Sequence, residues 1–413
     1  MRVAVIGGGF TGLSCAVRLV DMGITPVIFE SKKECGGLAR GFREDEWRWN
    51  LENFYHHVFT NDKDVLELAK KVGAKTLILH PQTNSYYHGK ETPLDSPISL
   101  LKFSGISLWA RLHMGMGLML LKLLPNGMFL EKYHAVEVLP KLLGREGYKV
   151  VWEKLLKAKF GPHVNEVNLA WFWSRVAKRT KNLGYFEGGF EGLIRKTEEY
   201  IKRHGGEIRT GVMVERIEID GDGVLVDGER FDSVVVTTPA PIAAKMVRGL
   251  TIPEIDYLWG QTLILETSRK LINGYWLNIL EKDFPFLVMV EHTNMIDKKH
   301  YGGKRLVYLG NYLPEGHKQL KMNEEQLLKI YSPFIKKINT HFNKRLIKKS
   351  FLFREPFAQP VFPVNYSRMI PNSRLGSGVY LANMSMVYPF DRGTNYAVKL
   401  GNDIAELVVS DLR

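Results

Sequence analysis

Glycines are the first residues in this chain whose spacing could do chemistry. Gly7-Gly8-Gly9-Phe10-Thr11-Gly12 reads G-x-G-x-x-G. A strand-like apolar run at residues 3–6 precedes it. Leu13, Ala16, Val17 and Val20 follow at helical spacing as far as Gly23. Gly7 permits the tight turn from strand to helix. Gly9 has no Cβ, so a pyrophosphate can reach the backbone, and Gly12 lets the helix lie close on the strand. The helix start then offers free N–H groups and positive dipole density to phosphates. A second strand over residues 25–29 ends at Glu30, whose carboxylate can accept from the hydroxyls of an adenosine ribose. A glycine-rich turn in an unrelated α/β protein needs none of these neighbours, so the motif predicts a dinucleotide site.

Other reactive types are sparser. His56 and His57 adjoin in Asn53-Phe54-Tyr55-His56-His57-Val58-Phe59. Adjacent side chains diverge on any regular element, and no acidic or cysteine partner stands at ligand spacing, so no metal site is expected. The pair belongs either to the core or to a site. Arg175, Lys178 and Arg179 gather at the end of a helical stretch, where cations suit the helix C-terminus; that role outweighs contact with an anionic substrate. Cys15 and Cys35 are the only cysteines, too few for a disulfide framework, so a cytoplasmic protein is expected.

After Glu30 the chain continues Ser31-Lys32-Lys33-Glu34-Cys35-Gly36-Gly37-Leu38-Ala39-Arg40. An acidic strand end followed shortly by Gly-Gly resembles the superfamily of flavin amine oxidases, protoporphyrinogen oxidases and phytoene desaturases. Two later blocks carry the same resemblance. Gly188-Gly189-Phe190-Glu191-Gly192 opens an amphipathic helix to His204, then strands follow at 207–210 and 233–236, with Val214 between them and Thr237-Thr238-Pro239 after them. A strand at 378–383 leads to Asp391-Arg392-Gly393-Thr394-Asn395, which opens the last helix.

The resemblance implies FAD. It implies contacts from Gly7, Gly9, Phe10, Thr11, Gly12, Glu30, Ser31, Gly36, Gly37, Leu38 and Arg40 in the first block. Val214 and Thr238 serve in the second, and Asn383, Gly393, Thr394 and Asn395 in the third. Covalent members attach flavin through a cysteine near the third block; no cysteine lies beyond Cys35, so FAD is expected to be non-covalent. Two departures stand out. Glu34 and Leu38 occupy positions where amine oxidases carry arginines, which leaves the phosphate charge to Arg40, Lys32, Lys33 or backbone N–H groups. Ala382-Asn383 replaces Gly-Asp or Gly-Glu. The first departure favours the protoporphyrinogen-oxidase-like and mutase-like branches. The His56-His57 segment resembles the histidine segment beside the flavin in UDP-galactopyranose mutase. Candidates for catalysis are His56, His57, Tyr388, Asp391 and Arg392; no catalytic base is identified.

These blocks predict an α/β fold with a discontinuous Rossmann-like FAD-binding domain (residues 1–75, 181–250 and 356–413). A mixed-sheet substrate domain (76–180 and 251–355) carries a helical insert at about 100–180. The 413 residues, 45% hydrophobic and 24% charged, suit a globular protein of two or three domains. The net charge of +13 comes with no arginine-rich tail or zinc knuckle, so no nucleic-acid role is expected. No signal peptide is read at the N-terminus. The apolar stretch 105–124 is broken by Arg111, His113 and Lys122 and falls short of a membrane span. A buried helix is its simpler reading, and a peripheral contact with the inner face of a membrane stays open.

The activity expected from the resemblance is hydride transfer from an organic small molecule to flavin N5. The alternative is a mutase-like isomerase acting on a nucleotide sugar with reduced flavin as nucleophile. A flavin-bearing protein without turnover is the third class. Substrate, electron acceptor and oligomeric state are not legible.

Overall fold

The computed structural model describes residues 1–221, 223–247, 254–390 and 393–413. Strand Arg2–Ile6 forms where the apolar run predicts it, and helix Phe10–Asp21 starts inside the glycine motif. Together with Thr25–Glu30 they make a strand–helix–strand unit of a parallel sheet. That sheet has six strands, in the order Glu207–Thr210, Thr25–Glu30, Arg2–Ile6, Ser233–Val236, Val379–Leu381, Arg374–Gly376. All neighbours are parallel except the last pair. Its strands come from the start, middle and end of the chain, as the discontinuous Rossmann-like reading requires.

Both faces of the four central strands are covered, which is why those strands are almost wholly apolar rather than alternating, whereas the two edge strands are polar. Val3 and Val5 pack with Leu13, Ala16 and Val398 on the helical side. Ala4 and Ile6 pack with Val224 and Phe231 on the other, under a three-stranded antiparallel sheet of Ile217–Asp220, Gly223–Val226 and Glu229–Phe231. Asp220 pairs with Gly223 between the first two of these strands; Asp222 lies outside the described residues.

A second sheet has seven strands, in the order Ile347–Pro360, Tyr257–Thr267, Arg305–Leu313, Val288–Glu291, Trp276–Ile279, Thr83–Tyr87, Lys90–Pro93. It is mixed, because Trp276–Ile279 and Thr83–Tyr87 run parallel while the other pairs are antiparallel. The 83–93 hairpin turns at His88 and Gly89, both at positive φ (48° and 73°), which a two-residue hairpin turn demands. Within residues 47–55 the only strand is the short Leu51–Glu52. Residues 212–216 make no strand of their own; regular structure resumes at Ile217.

The 100–180 region is helical, as its spacing predicts, with Leu108–Leu123 and Leu169–Ala177 its most regular pieces. The reading of the 105–124 stretch as a buried helix is corrected. Only Ala110, Met114, Gly117 and Leu121 of Leu108–Leu123 are buried. One face packs inward, where Gly117 lies so close to the Leu142 carbonyl that a Cβ would stand 2.2 Å from its oxygen. The opposite face is exposed.

The last helix, Thr394–Leu412, packs on the first through Gly401, where a Cβ would stand 2.0 Å from Ser14 Oγ and 2.3 Å from the Thr11 carbonyl oxygen. Gly401→Ala is therefore expected to lower stability by about 2 kcal/mol or more, although alanine is the better helix former. Gly115→Ala is the control: its Cβ would meet only Leu100 Cδ2 at 3.5 Å, so stability holds or rises by up to about 1 kcal/mol. Urea-unfolding midpoints decide; an unchanged midpoint for Gly401→Ala would refute the tight helix contact.

Candidate functional site

One cavity of about 550 Å³ is lined from both sheets and from helix Leu169–Ala177. Gly7, Gly9, Phe10, Thr11, Glu30, Ser31, Gly36, Gly37, Leu38 and Arg40 all reach its wall. Val214, Thr238, Gly393, Thr394, Asn395, His56 and His57 reach it as well. Segments more than 300 residues apart in sequence thus converge on a single space.

The glycines leave the backbone bare there. Gly7, Gly36 and Gly37 sit at φ +108°, +120° and +55°, a region that side chains disfavour. A Cβ on Gly37 would stand 3.3 Å from Gly9 Cα, so the two glycines face each other. Gly12 does not line the cavity. Its absent Cβ would lie 2.0 Å from the Gly7 carbonyl oxygen, so its role is close packing. Helix Phe10–Asp21 has Gly9 as its N-cap and no side-chain cap, which leaves its first N–H groups for another acceptor. Glu30, buried at the wall, accepts from Gly8 N (2.8 Å) and Lys32 N (2.8 Å) and so also fastens the loop. The Thr238 hydroxyl is buried at the same wall with no protein partner. Bare backbone, an uncapped helix start and an orphaned hydroxyl are what a dinucleotide cofactor would complete, so the residues fit FAD.

Of the cations expected to answer phosphate charge, Arg40 and Lys32 line the cavity and Lys33 does not. Arg40 Nη2 donates to Glu355 Oε1 at 3.3 Å, which holds the guanidinium at the wall. The preference for a helix-end role at 175–179 is revised: Arg175 and Lys178 both line the cavity. Helix Leu169–Ala177 ends against it, so its C-terminal cations and the cavity share one place.

His56 and His57 are brought there by a buried carboxylate. Glu52 accepts from Tyr185 Oη (2.8 Å) and from Phe190 N (2.7 Å), the first amide of helix Phe190–Arg203. Tyr308 Oη donates to the Glu52 carbonyl at 2.7 Å. Burial pushes the Glu52 carboxyl up to about 7. The chain leaves this anchor into Phe54, Tyr55, His56 and His57, all at the cavity wall. His57 Nδ1 lies 3.3 Å from the Tyr275 hydroxyl, and desolvation, with Arg179 next, pushes its imidazole down to about 3. Asp62 accepts from Phe59 N at 2.8 Å, and burial pushes its carboxyl up to about 6. Among the described residues one group of metal-ligand types gathers, His163 with Glu166 and Asp256; neither histidine of the pair belongs to it, nor does it line the cavity.

The third block divides. Asn395 accepts from Val65 N (3.1 Å) and donates to Asp64 Oδ2 (3.1 Å), tying the last helix to helix Lys63–Val72 at the cavity edge. Asn383 is off the wall: its Oδ1 accepts from Ser385 N and Oγ in the turn Met384–Met386, while its Nδ2 is buried without a protein partner. Tyr388 is also off the wall, packed edge-on to Phe362 and Tyr366 with its hydroxyl 3.2 Å from Asn168 Oδ1. Asp391 and Arg392 lie outside the described residues.

Sequence reasoning missed the opposite wall. Tyr55, Trp276, Tyr312 and Phe357 present rings to the cavity, with Gln261 and Asn311 between them. Tyr55 meets Trp276 edge-to-face at 5.0 Å, and Phe390 stacks on Tyr396 at 4.6 Å and 3°. Trp276, Tyr312 and Phe357 come from three different strands and Tyr55 from a loop, and they share no local pattern. Tyr257–Thr267 and Arg305–Leu313 are buried almost throughout, so no alternation along them marks which residues face the cavity.

Comparison with known proteins agrees with this geometry. The family model described as flavin containing amine oxidoreductase matches residues 10–389. A flavin-containing amine oxidase of Oncorhynchus mykiss is 26% identical over 285 residues, covering 61% of this chain and 53% of that one. The chain spans about half or less of the length of the curated relatives it matches first. Among solved structures, one from Exiguobacterium, provisionally described as a protoporphyrinogen oxidase, aligns with TM-score 0.78, 17% identity and 98% of each chain. Reduced UDP-galactopyranose mutase aligns with TM-score 0.76, 15% identity, 99% of this chain and 95% of that one. At such identities these two likenesses show the fold.

Valine at position 9 would place methyl groups in the gap facing Gly37. Gly9→Val is expected to purify without flavin, whereas Cys15→Ala keeps it, because Cys15 is a buried helix residue off the cavity wall whose thiol burial pushes up. The ratio of flavin to protein absorbance is the measurement. Full flavin in Gly9→Val would sink the assignment of this gap to a pyrophosphate.

Proposed function

Because the chain belongs to the flavin-containing amine oxidoreductase family, we propose that it is an FAD-dependent oxidoreductase that removes a hydride from an organic substrate. The observation that carries this reading is the single cavity in which a glycine-rich nucleotide wall faces an aromatic wall. When bound, FAD supplies the hydride acceptor at its N5.

The chain's own residues do the rest. Gly9, Gly36 and Gly37 admit a pyrophosphate to the backbone, and the uncapped start of Phe10–Asp21 meets its charge. Arg40 and Lys32 add positive charge there, and Glu30 offers acceptor oxygens to ribose hydroxyls. The start of Thr394–Leu412 brings a second positive helix end to the wall. Tyr55, Trp276, Tyr312 and Phe357 hold the substrate and keep water out. His57 is neutral at ordinary pH, so it exchanges hydrogen bonds without carrying charge. Neither cysteine lines the cavity, which supports FAD held without a covalent bond.

A second reading has one observation in its favour. Arg175 and Lys178 reach the cavity, and a substrate bearing phosphate, such as a nucleotide sugar, would pair with them in a mutase-like isomerase.

Anaerobic mixing with a panel of amines, porphyrinogens, polyenes and nucleotide sugars separates the readings. Bleaching of the flavin by an organic substrate is the expected result. Turnover of a nucleotide sugar only after chemical reduction would replace the oxidoreductase by the isomerase. Acid precipitation is expected to release all the flavin; colour left on the denatured chain would refute non-covalent binding.

The cavity also sets a pH dependence. Asp62 is protonated below about 6 and ionised above it, while His57 stays neutral throughout the range from about pH 5 to 8. With an identified substrate, kcat/KM is expected to show an ionisation near 6 that Asp62→Asn removes and His57→Gln leaves in place. Loss of that ionisation in His57→Gln instead would assign it to the imidazole.

A further inference from the structure

We propose that the outward face of helix Leu108–Leu123 is a docking surface for an anionic lipid bilayer. Trp109, Leu112, Met116, Met119, Leu120 and Leu123 form a stripe at three- and four-residue spacing along that helix, opposite its buried stripe. Trp109 is 81% exposed and Leu123 71%. Eleven of the seventeen large apolar side chains exposed among the described residues fall between residues 98 and 133. The neighbouring helix Pro97–Lys102 and the turn Met128–Lys132 also carry exposed apolar side chains, Ile98, Leu101 and Phe129. A soluble monomer rarely leaves so much contiguous apolar surface to water unless a partner covers it.

Charge selects the partner. Residues 97–133 contain Lys102, Arg111, Lys122 and Lys132 and a single carboxylate, Glu131. That carboxylate is taken up by Ser367, accepting from its N (3.0 Å) and its Oγ (2.6 Å). Two of the cations are held in place by backbone carbonyls. Arg111 donates to the Ile106 and Leu101 carbonyls, and Lys122 to the Arg179 carbonyl. A second copy of the chain seated on this face by two-fold symmetry would set these four cations against their own copies. A bilayer with anionic headgroups answers both features: acyl chains take the apolar stripe, headgroups take the lysines and arginine, and Trp109 sits at the boundary. The contact is peripheral, since no described helix is long and apolar enough to cross a membrane.

The surface is mechanically tied to the cavity. Besides the Lys122 bond to Arg179, the Trp173 indole N–H donates to the Leu124 carbonyl at 3.2 Å. Ser174, Arg175 and Lys178, from the same short segment, line the cavity. Docking by this helix would thus hold one cavity wall beside the membrane.

Flotation of the full-length flavin-loaded protein with vesicles tests the surface. Vesicles of equal parts phosphatidylcholine and phosphatidylglycerol are compared with vesicles of phosphatidylcholine alone, at low and high salt. Wild type is expected to float with the anionic vesicles at low salt and not with the neutral ones. Trp109→Glu with Leu120→Glu, and separately Lys102→Glu with Lys132→Glu, are each expected to lower partitioning by about tenfold or more. All four side chains are exposed, so flavin content should stay at the wild-type ratio and report an intact fold. Three results would overturn the proposal: wild type left in solution, equal flotation on neutral vesicles, or double variants that float like wild type. Light scattering closes the remaining alternative, because a wild-type dimer abolished by Trp109→Glu would assign the face to a second copy instead.

Discussion

The close approach of the first helix to its two neighbours is the constraint on which the site depends. Gly12 puts helix Phe10–Asp21 against the Gly7 turn, and Gly401 puts helix Thr394–Leu412 against Ser14 and Thr11. At each contact a Cβ would stand 2.0 Å from an oxygen, so no other residue type fits without moving a helix. Because the two helices lie this close, Phe10 and Thr11 from one and Thr394 and Asn395 from the other reach the same cavity. Two positive helix ends then act on one space, an arrangement suited to an anionic cofactor.

The other side of the cavity hangs from Glu52. Its carboxylate caps helix Phe190–Arg203, while its carbonyl takes the Tyr308 hydroxyl from the seven-stranded sheet. A buried carboxylate is costly unless its acceptor sites are filled, and here two donors fill them. One short segment is thereby pinned between a helix of the first sheet and a strand of the second. Phe54, Tyr55, His56 and His57 follow it directly, so the histidines are presented at the junction of the two sheets.

Basic residues show how position alone changes meaning. At 175–179 they sit at a helix C-terminus, where positive charge is favourable whatever lies beyond. In the fold that helix ends on the cavity, so Arg175 and Lys178 face a ligand space as well. At 102–132 the cations border an apolar stripe and face outward. Neither placement changes the local pattern, which is the same in a buried helix, a binding wall or a membrane-facing surface.

The sequence by itself determined the nucleotide half. Gly7, Gly9, Gly12 and Glu30 act through backbone dihedrals, missing Cβ atoms and short-range spacing, all of which are written locally. The order of the three blocks likewise determined a sheet assembled from distant strands. Tertiary structure alone decided which side chains share the cavity. It set Asn383 into its own turn and Tyr388 into an aromatic cluster with Phe362 and Tyr366. It gathered Tyr55 from a loop and Trp276, Tyr312 and Phe357 from separate strands into one wall. It also left helix Leu108–Leu123 covered on a single face. The reason is that periodicity gives the faces of an element, whereas what covers each face depends on packing against residues far away in the chain.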